Sequence, residues 1–348
     1  VNADIVIAGA GVIGASVAYH LAKRGCRDIV VLDRGADFGA GSTLKATGGF
    51  RAQFDNETEV RMSLLAREKL RAFEDEIGVD SGYRPYGYLF LACSDEELAE
   101  LRRAQEMQHA CGLAEARMVS ADDARALSPA IGDPRVIGGA FCPTDGFIRA
   151  KNILHGYADA ARRLGVRFEF GHELREWPDA RVRIEARGAW SGAPVVPTLR
   201  RAAATAPTNV LEESMPMTVW AGDWYHLRVR DGRVLLLWPD DPPLADDAAW
   251  LSEVLRRTRE RVPMLDDVPI AECWSGFYEM TPDERAILGP SPDVENLWLA
   301  TGCSGHGVMH APAIGHLLAE MVVDGRTSID VSALDPARFR SAAAEPPL

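Results

Sequence analysis

The sequence predicts an α/β fold: a parallel sheet that binds a dinucleotide, interleaved with an α+β part built on a mostly antiparallel sheet. Three observations carry this. An apolar strand, Asp4-Ile5-Val6-Ile7-Ala8, runs into Gly9-Ala10-Gly11-Val12-Ile13-Gly14, then a helical stretch ending at Gly25, then Ile29-Val30-Val31-Leu32-Asp33. That is a whole βαβ unit in register. Far downstream, Leu297 to Gly302 reads as a buried strand that ends in Gly302-Cys303-Ser304-Gly305-His306-Gly307 and leads to an apolar helix from Ala311 to Val323. Between these units lie strand signals of a different kind, rich in aromatic residues and separated by polar turns, so the two ends of the chain fold together around a second sheet.

Each element has a local reason. Gly9 permits the tight turn out of the strand, Gly11 lets backbone approach a pyrophosphate, and Gly14 lets the helix lie close on the sheet. The helix N-terminus, at Val12 and Ile13, offers free N–H groups to phosphates. Asp33 closes the unit about 20 residues after the glycines, where a carboxylate accepts ribose hydroxyls. A second glycine-rich stretch, Gly35 to Thr43 with Gly41 and Ser42, leads into Ala46-Thr47-Gly48-Gly49-Phe50-Arg51; such a loop can track a cofactor beyond its pyrophosphate, where a nicotinamide enzyme would enter its next helix. A helix over Met62–Glu76 is expected to pass out of the cofactor domain into a strand over Tyr86–Ala92. Ser94 and Glu97 form a capping box for a helix reaching Ala110. Ala121–Leu127 is a second helical stretch before Pro129. Asn152–Leu164 is amphipathic, with Ile153, Tyr157, Ala161 and Leu164 on one face. Strands over Trp224–Val229 and Arg233–Trp238 belong to the second sheet, and a polar, Pro-containing tail follows Leu334.

Composition fits an enzyme better than a binding module. At 348 residues the chain can bury a large core and form two domains, and 47% hydrophobic residues are available to fill it. The net charge of −13 argues against nucleic acid or an anionic membrane as partner, because neutralising phosphates takes clustered Lys and Arg. No signal peptide and no membrane-spanning apolar run is evident, so a cytoplasmic location is expected. The cysteines (Cys26, Cys93, Cys111, Cys142, Cys273, Cys303) are scattered without a CxxC pair, which predicts reduced thiols and no metal site. His310 and His316 are expected to face solvent or a helix neighbour.

Taken together these residues resemble the FAD-dependent oxidoreductases of the D-amino-acid oxidase superfamily, in the branch of sarcosine oxidase, glycine oxidase, dimethylglycine dehydrogenase and the flavin subunit of proline dehydrogenase complexes. The resemblance rests on Gly9 to Gly14 with Asp33, Thr47 to Phe54, Pro143-Thr144-Asp145-Gly146, Gly188-Ala189-Trp190-Ser191, Tyr278-Glu279-Met280-Thr281-Pro282-Asp283 and the Gly302 to Gly307 loop. It implies a Rossmann-like FAD-binding domain over 1–78, 140–191 and 285–348, with a substrate domain over 79–139 and 192–284. Cofactor contacts implied by it are Gly9, Gly11, Val12, Ile13, Gly14, Asp33, Arg34, Gly41, Ser42, Thr47, Gly48, Gly49, Gly188, Trp190, Gly302, Ser304, Gly305, His306, Gly307, Val308 and Met309. One segment departs from the family pattern: the stretch between Phe170 and Gly188, which bears on adenine contacts, is short.

The resemblance also implies a chemistry: oxidation of a small amino acid or N-alkyl amino acid to an imine, with oxygen or another electron acceptor. The protein's share is orientation and electrostatics. Arg51 matches the family arginine above the flavin, and its planar fork suits a carboxylate; a structural arginine is the alternative. Tyr278 matches the tyrosine whose hydroxyl reaches substrate, against a core tyrosine. His306 either donates to the flavin or shapes its loop. The helix after Gly307 points its N-terminal N–H groups at the pyrimidine edge, stabilising the anionic reduced flavin. Where sarcosine oxidase carries a flavin-linking cysteine this chain has Gly276, which implies non-covalent FAD. Where that enzyme has a carboxylate-binding lysine the chain has Met309, and its lysines (Lys23, Lys45, Lys69, Lys151) all lie in the first half. Loss of that cation leans towards a dehydrogenase, with His226 or an arginine as substitute cation in the other case. An electron-relay subunit of a hetero-oligomer, possible for this branch, is the second reading; an NAD-dependent dehydrogenase is the third. Homo- or hetero-oligomerisation stays open.

Overall fold

The computed structural model describes residues 3–340; the last part of the polar tail, 341–348, lies outside them. A six-stranded sheet runs in the order Ile287–Pro290, Leu297–Thr301, Val182–Glu185, Ile5–Ala8, Ile29–Asp33, Arg167–Phe170. All neighbours are parallel except Ile287–Pro290, which is antiparallel to Leu297–Thr301. The central strand Ile5–Ala8 is covered on both faces, which is why it reads as an unbroken apolar run instead of an alternating one.

The helix Val12–Lys23 lies across this sheet and is itself clasped by Ala150–Arg163 and Gly307–Asp324. Close approach needs small residues. A Cβ on Gly315 would sit 2.3 Å from Ser16 Oγ, and that hydroxyl donates to Ala311 O at 2.7 Å. Gly14 has the same role against the sheet turn, since a Cβ there would meet Gly9 O at 1.9 Å.

The second sheet has eight strands, in the order Ile270–Met280, Val196–Thr205, Arg233–Leu237, His226–Arg230, Met217–Trp220, Tyr88–Ala92, Gly138–Cys142, Arg117–Ser120. Met217–Trp220 and Tyr88–Ala92 run parallel and every other pair antiparallel, matching the predicted mostly antiparallel sheet. Its core is built on Trp220, Tyr225 and Leu227, with Trp250 and Val254 from helix Asp247–Arg261. The strand Gly138–Cys142 lies in this sheet, across the expected switch at 139/140. A short ribbon, Gly49–Phe50 with Gly146–Phe147, ties the second glycine loop to it.

Local differences from the sequence reading have physical causes. The helix expected over Met62–Glu76 starts at Glu57, because Asn56 caps it by accepting from Glu59 N at 3.0 Å, and it breaks at Ala72 into Phe73–Ile77. The capping box at Ser94 is half formed: Ser94 Oγ accepts from Glu97 N, but the Glu97 carboxylate accepts from Cys93 N at 2.7 Å. The box with both bonds is at Ser120–Asp123, opening the predicted helix Ala121–Leu127. Leu164 is not on the buried face; it is the C-cap of Ala150–Arg163 and 41% exposed. The last long helix begins at Gly307, directly on its glycine loop, and not at Ala311. Of the two expected settings for His310, the structure shows the helix neighbour: it is buried and bonded to Ser63 Oγ of helix Glu57–Arg71 at 2.8 Å. The short segment after Phe170 closes through Val182–Glu185, which inserts between Leu297–Thr301 and Ile5–Ala8.

Candidate active site

Between the two sheets lies a cavity of about 1180 Å³, larger than the usual pocket for one small ligand and suited to a dinucleotide plus a small substrate. Every predicted cofactor and catalytic residue lines it except Gly14 and Gly302. Those two are packing glycines: a Cβ on Gly302, at φ +68°, would meet Thr281 Cγ2 at 2.6 Å.

At one end, Gly11 is the N-cap of Val12–Lys23 with no side-chain cap, which leaves the helix N-terminus directed to the cavity; Thr43 Oγ1 accepts one of its N–H groups, from Val12, at 3.2 Å. Asp33 already accepts from Ala10 N (2.6 Å) and Gly35 N (2.7 Å), one bond per oxygen, so each oxygen keeps a lone pair for a sugar hydroxyl. Arg34 lies over Trp190, 4.6 Å from the ring centroid. His172, Glu173 and Leu174 from the short segment complete this end.

The second glycine loop is held from below by two arginines of His226–Arg230. Arg228 donates to Thr47 O at 3.0 Å and Gly48 O at 2.9 Å, and Arg230 donates to Ala46 O at 3.4 Å. Arg228 is 2% exposed, has no carboxylate partner and rests on the Phe147 ring at 3.5 Å; burial pushes its pKa down to about 9. Just beyond, buried Asp145 accepts from Ala52 N at 2.8 Å and from the Gln53 backbone and side chain, fixing the chain after Arg51; burial pushes its carboxyl up to about 6.

Arg51 enters the cavity with one face on Phe54, 3.8 Å from its centroid, and with Phe90 and Trp224 at 5.7 and 5.8 Å. Its Nη1 donates to Gln53 O and its Nη2 to His306 Nε2 at 3.2 Å. Tyr278, on Ile270–Met280, packs directly against Gly305, where a Cβ would be 2.3 Å from a ring carbon. It is 38% exposed and lines the cavity; burial raises its pKa while Arg200 and Arg51 oppose this. His226 also lines the cavity, and burial, with Arg51 adding to it, pushes its pKa down to about 4, which disfavours its charged form. Ser304 turns its hydroxyl into its own loop, accepting from Thr281 N at 3.1 Å and donating to Gly302 O.

Several cavity residues escaped the sequence reading. Glu279 places a carboxylate beside the Gly302–Gly307 loop, accepting from Thr301 Oγ1 at 2.9 Å, and burial raises its pKa. Arg200 and Lys45 line the wall near Gly276, whose Cβ position is 3.3 Å from Lys45 Cβ. Strand alternation gave no signal for Glu279: Trp274, Gly276 and Tyr278 line the cavity as a shared face would predict, but Phe277 and Glu279 of the opposite parity line it too. No cysteine lines the cavity among the described residues, none of them forms a metal-binding cluster, and no helix among them is long and apolar enough to cross a membrane.

The DAO family of FAD dependent oxidoreductases matches residues 4–321, and the chain belongs to it. The chain is 26% identical to FAD-dependent oxidoreductase domain-containing protein 1 of Xenopus laevis, covering 98% of this chain and 83% of that protein. It is 26% identical to glycine oxidase of Geobacillus kaustophilus (94% and 95% covered). Among solved structures, L-proline dehydrogenase from P. horikoshii superposes with a TM-score of 0.90 at 26% identity, over 98% of each chain. The protein is an FAD-dependent oxidoreductase, and its cavity fits that cofactor in size, in its side-chain-free glycine cradle and in the acid at its sugar end.

Proposed function

We propose that the chain oxidises a small amino acid or N-alkyl amino acid, of the sarcosine, dimethylglycine, proline or D-amino-acid type, to its imine. The observation that carries this is Arg51. A guanidinium has five N–H donors in a planar fork, and the two bonds to Gln53 O and His306 leave three for a ligand at the cavity. An amino acid whose carboxylate docks there finds Phe54, Phe90 and Trp224 around the same guanidinium and Tyr278 as the facing hydroxyl. These walls exclude water from the carbon and nitrogen that react, and the clamp fixes their distance to the cofactor. FAD, when bound, accepts the hydride from the carbon attached to nitrogen. Asp33 would hold its ribose, the Gly9–Gly14 turn its pyrophosphate, and the Thr47–Gly49 and Gly302–Gly307 loops its ring.

Anaerobic absorbance titration with N-methyl amino acids, D-amino acids and proline, followed by air, tests the reading. Bleaching of the flavin band by one of them supports it, and the rate of return in air separates oxidase from dehydrogenase. A flavin that none of them bleaches refutes it in favour of an electron-relay subunit.

A further inference from the structure

Behind Arg51 stands a chain of contacts that reaches a helix outside the cavity wall. His306 Nε2 accepts from Arg51 Nη2, so the imidazole proton must sit on Nδ1 for the ring to be neutral. Nδ1 is buried and has no hydrogen-bond partner within ordinary geometry; the group facing it is Glu59 Oε1, 3.5 Å away on helix Glu57–Arg71. Glu59 is 6% exposed, and its other oxygen accepts from Asn56 Nδ2 at 2.8 Å. Of the other titratable neighbours, the buried Cys303 thiol is kept in its neutral form by burial, and His310 lies with its ring 5.9 Å from His306 and spends Nε2 on Ser63. Phe54 packs edge-on against His306 at 4.9 Å and face-on beneath Arg51, so the ring and the guanidinium are locked in one orientation.

We propose that Glu59 is a positioning residue for the carboxylate clamp: it keeps the His306 proton on Nδ1, which leaves Nε2 as an acceptor that turns Arg51 towards the cavity. Without the carboxylate the other tautomer becomes available. Its Nε2–H would face an Arg51 N–H donor to donor, and the guanidinium would be driven off the orientation that offers three free N–H groups. Glu59 touches neither substrate nor cofactor; it acts through two side chains. This inference rests on the clamp role of Arg51 proposed above.

The test uses the FAD-loaded protein and pairs of probes that differ in charge alone: acetate against acetamide and benzoate against benzamide, read by perturbation of flavin absorbance. The wild type should bind the carboxylates more tightly than the amides, and Arg51→Met should abolish that preference. Glu59→Gln should weaken carboxylate binding roughly tenfold with amide binding unchanged, the size of a lost charge-assisted contact. In a His306→Gln background, where the longer amide side chain can place its oxygen near the Nε2 position and accept from Arg51 without help, Glu59→Gln should add nothing further. Flavin content and melting temperature accompany each variant, so that a collapsed fold is not read as a lost clamp. If Glu59→Gln leaves carboxylate binding intact while Arg51→Met destroys it, or if its effect persists in full beside Gln at 306, the positioning role is overturned. If the wild type itself shows no preference for carboxylates, the clamp reading falls, and this inference with it.

Discussion

Arg228→Met separates the stability of the fold from the organisation of the cofactor loop. The guanidinium is buried without a counter-ion, and the fall of its pKa from 12.5 to about 9 corresponds to roughly 5 kcal/mol against its charged form. Because a base with a depressed pKa carries that cost at every pH below the depressed value, the cost is constant between pH 5 and 8. Removing the charge recovers it but takes a donor from each of three carbonyls, Thr47, Gly48 and Val229, at about 1–3 kcal/mol each. The two effects nearly cancel, so the apo-protein should melt within a few degrees of the wild type, by calorimetry. The loop, however, loses the donors that fix it, and FAD affinity should fall by about tenfold to a hundredfold, equivalent to roughly 1.4–3 kcal/mol. Fluorescence titration of apo-protein with FAD measures this. Unchanged FAD affinity, or a loss of stability above about 5 kcal/mol, would refute the reasoning.

Other expectations follow from the same geometry. Arg51→Met should raise the substrate KM by the equivalent of roughly 1.5–3 kcal/mol with FAD still bound; unchanged kinetics on a carboxylate substrate would remove Arg51 from the site. Gly14→Ala drives a Cβ to 1.9 Å from Gly9 O, and overpacking of this kind costs about 1–3 kcal/mol, so a lower melting temperature and flavin loss on gel filtration are expected. Acid precipitation should release the flavin into the supernatant, since Gly276 offers no thiol; colour left in the washed pellet would contradict this. Asp145 titrates near 6 in the fold against 3.8 unfolded, so its contribution to stability falls as pH rises between those values. The stability of Asp145→Asn relative to wild type should therefore improve by roughly 2.4 kcal/mol from pH 4 to pH 7; a flat difference in chemical denaturation would show that Asp145 titrates normally.

The sequence was most legible where structure is dictated locally. Gly9-Ala10-Gly11 and Gly302 to Gly307 announce turns that side chains would block, and the apolar runs at Ile5 and Ile29 announce strands buried on both faces. Legibility fell at helix starts: Asn56 outweighed the apolar pattern that suggested Met62, and Glu97 bonded to Cys93 instead of completing its box, because a cap is decided by one rotamer. Arg51, Tyr278 and His306 could be named from their motifs, but not their mutual arrangement.

What the sequence by itself determined is the class of fold and its two glycine-lined strand–helix units, since steric freedom at glycine and the periodicity of apolar residues act over a few positions. Only the tertiary structure decided that Arg228 supports the Thr47–Gly48 loop, that Glu279 lies beside the Gly302–Gly307 loop, and that Glu59 stands behind His306. Arg51 and His306 are 255 positions apart, and a contact over that distance is set by how two sheets and their helices pack, which no local pattern encodes.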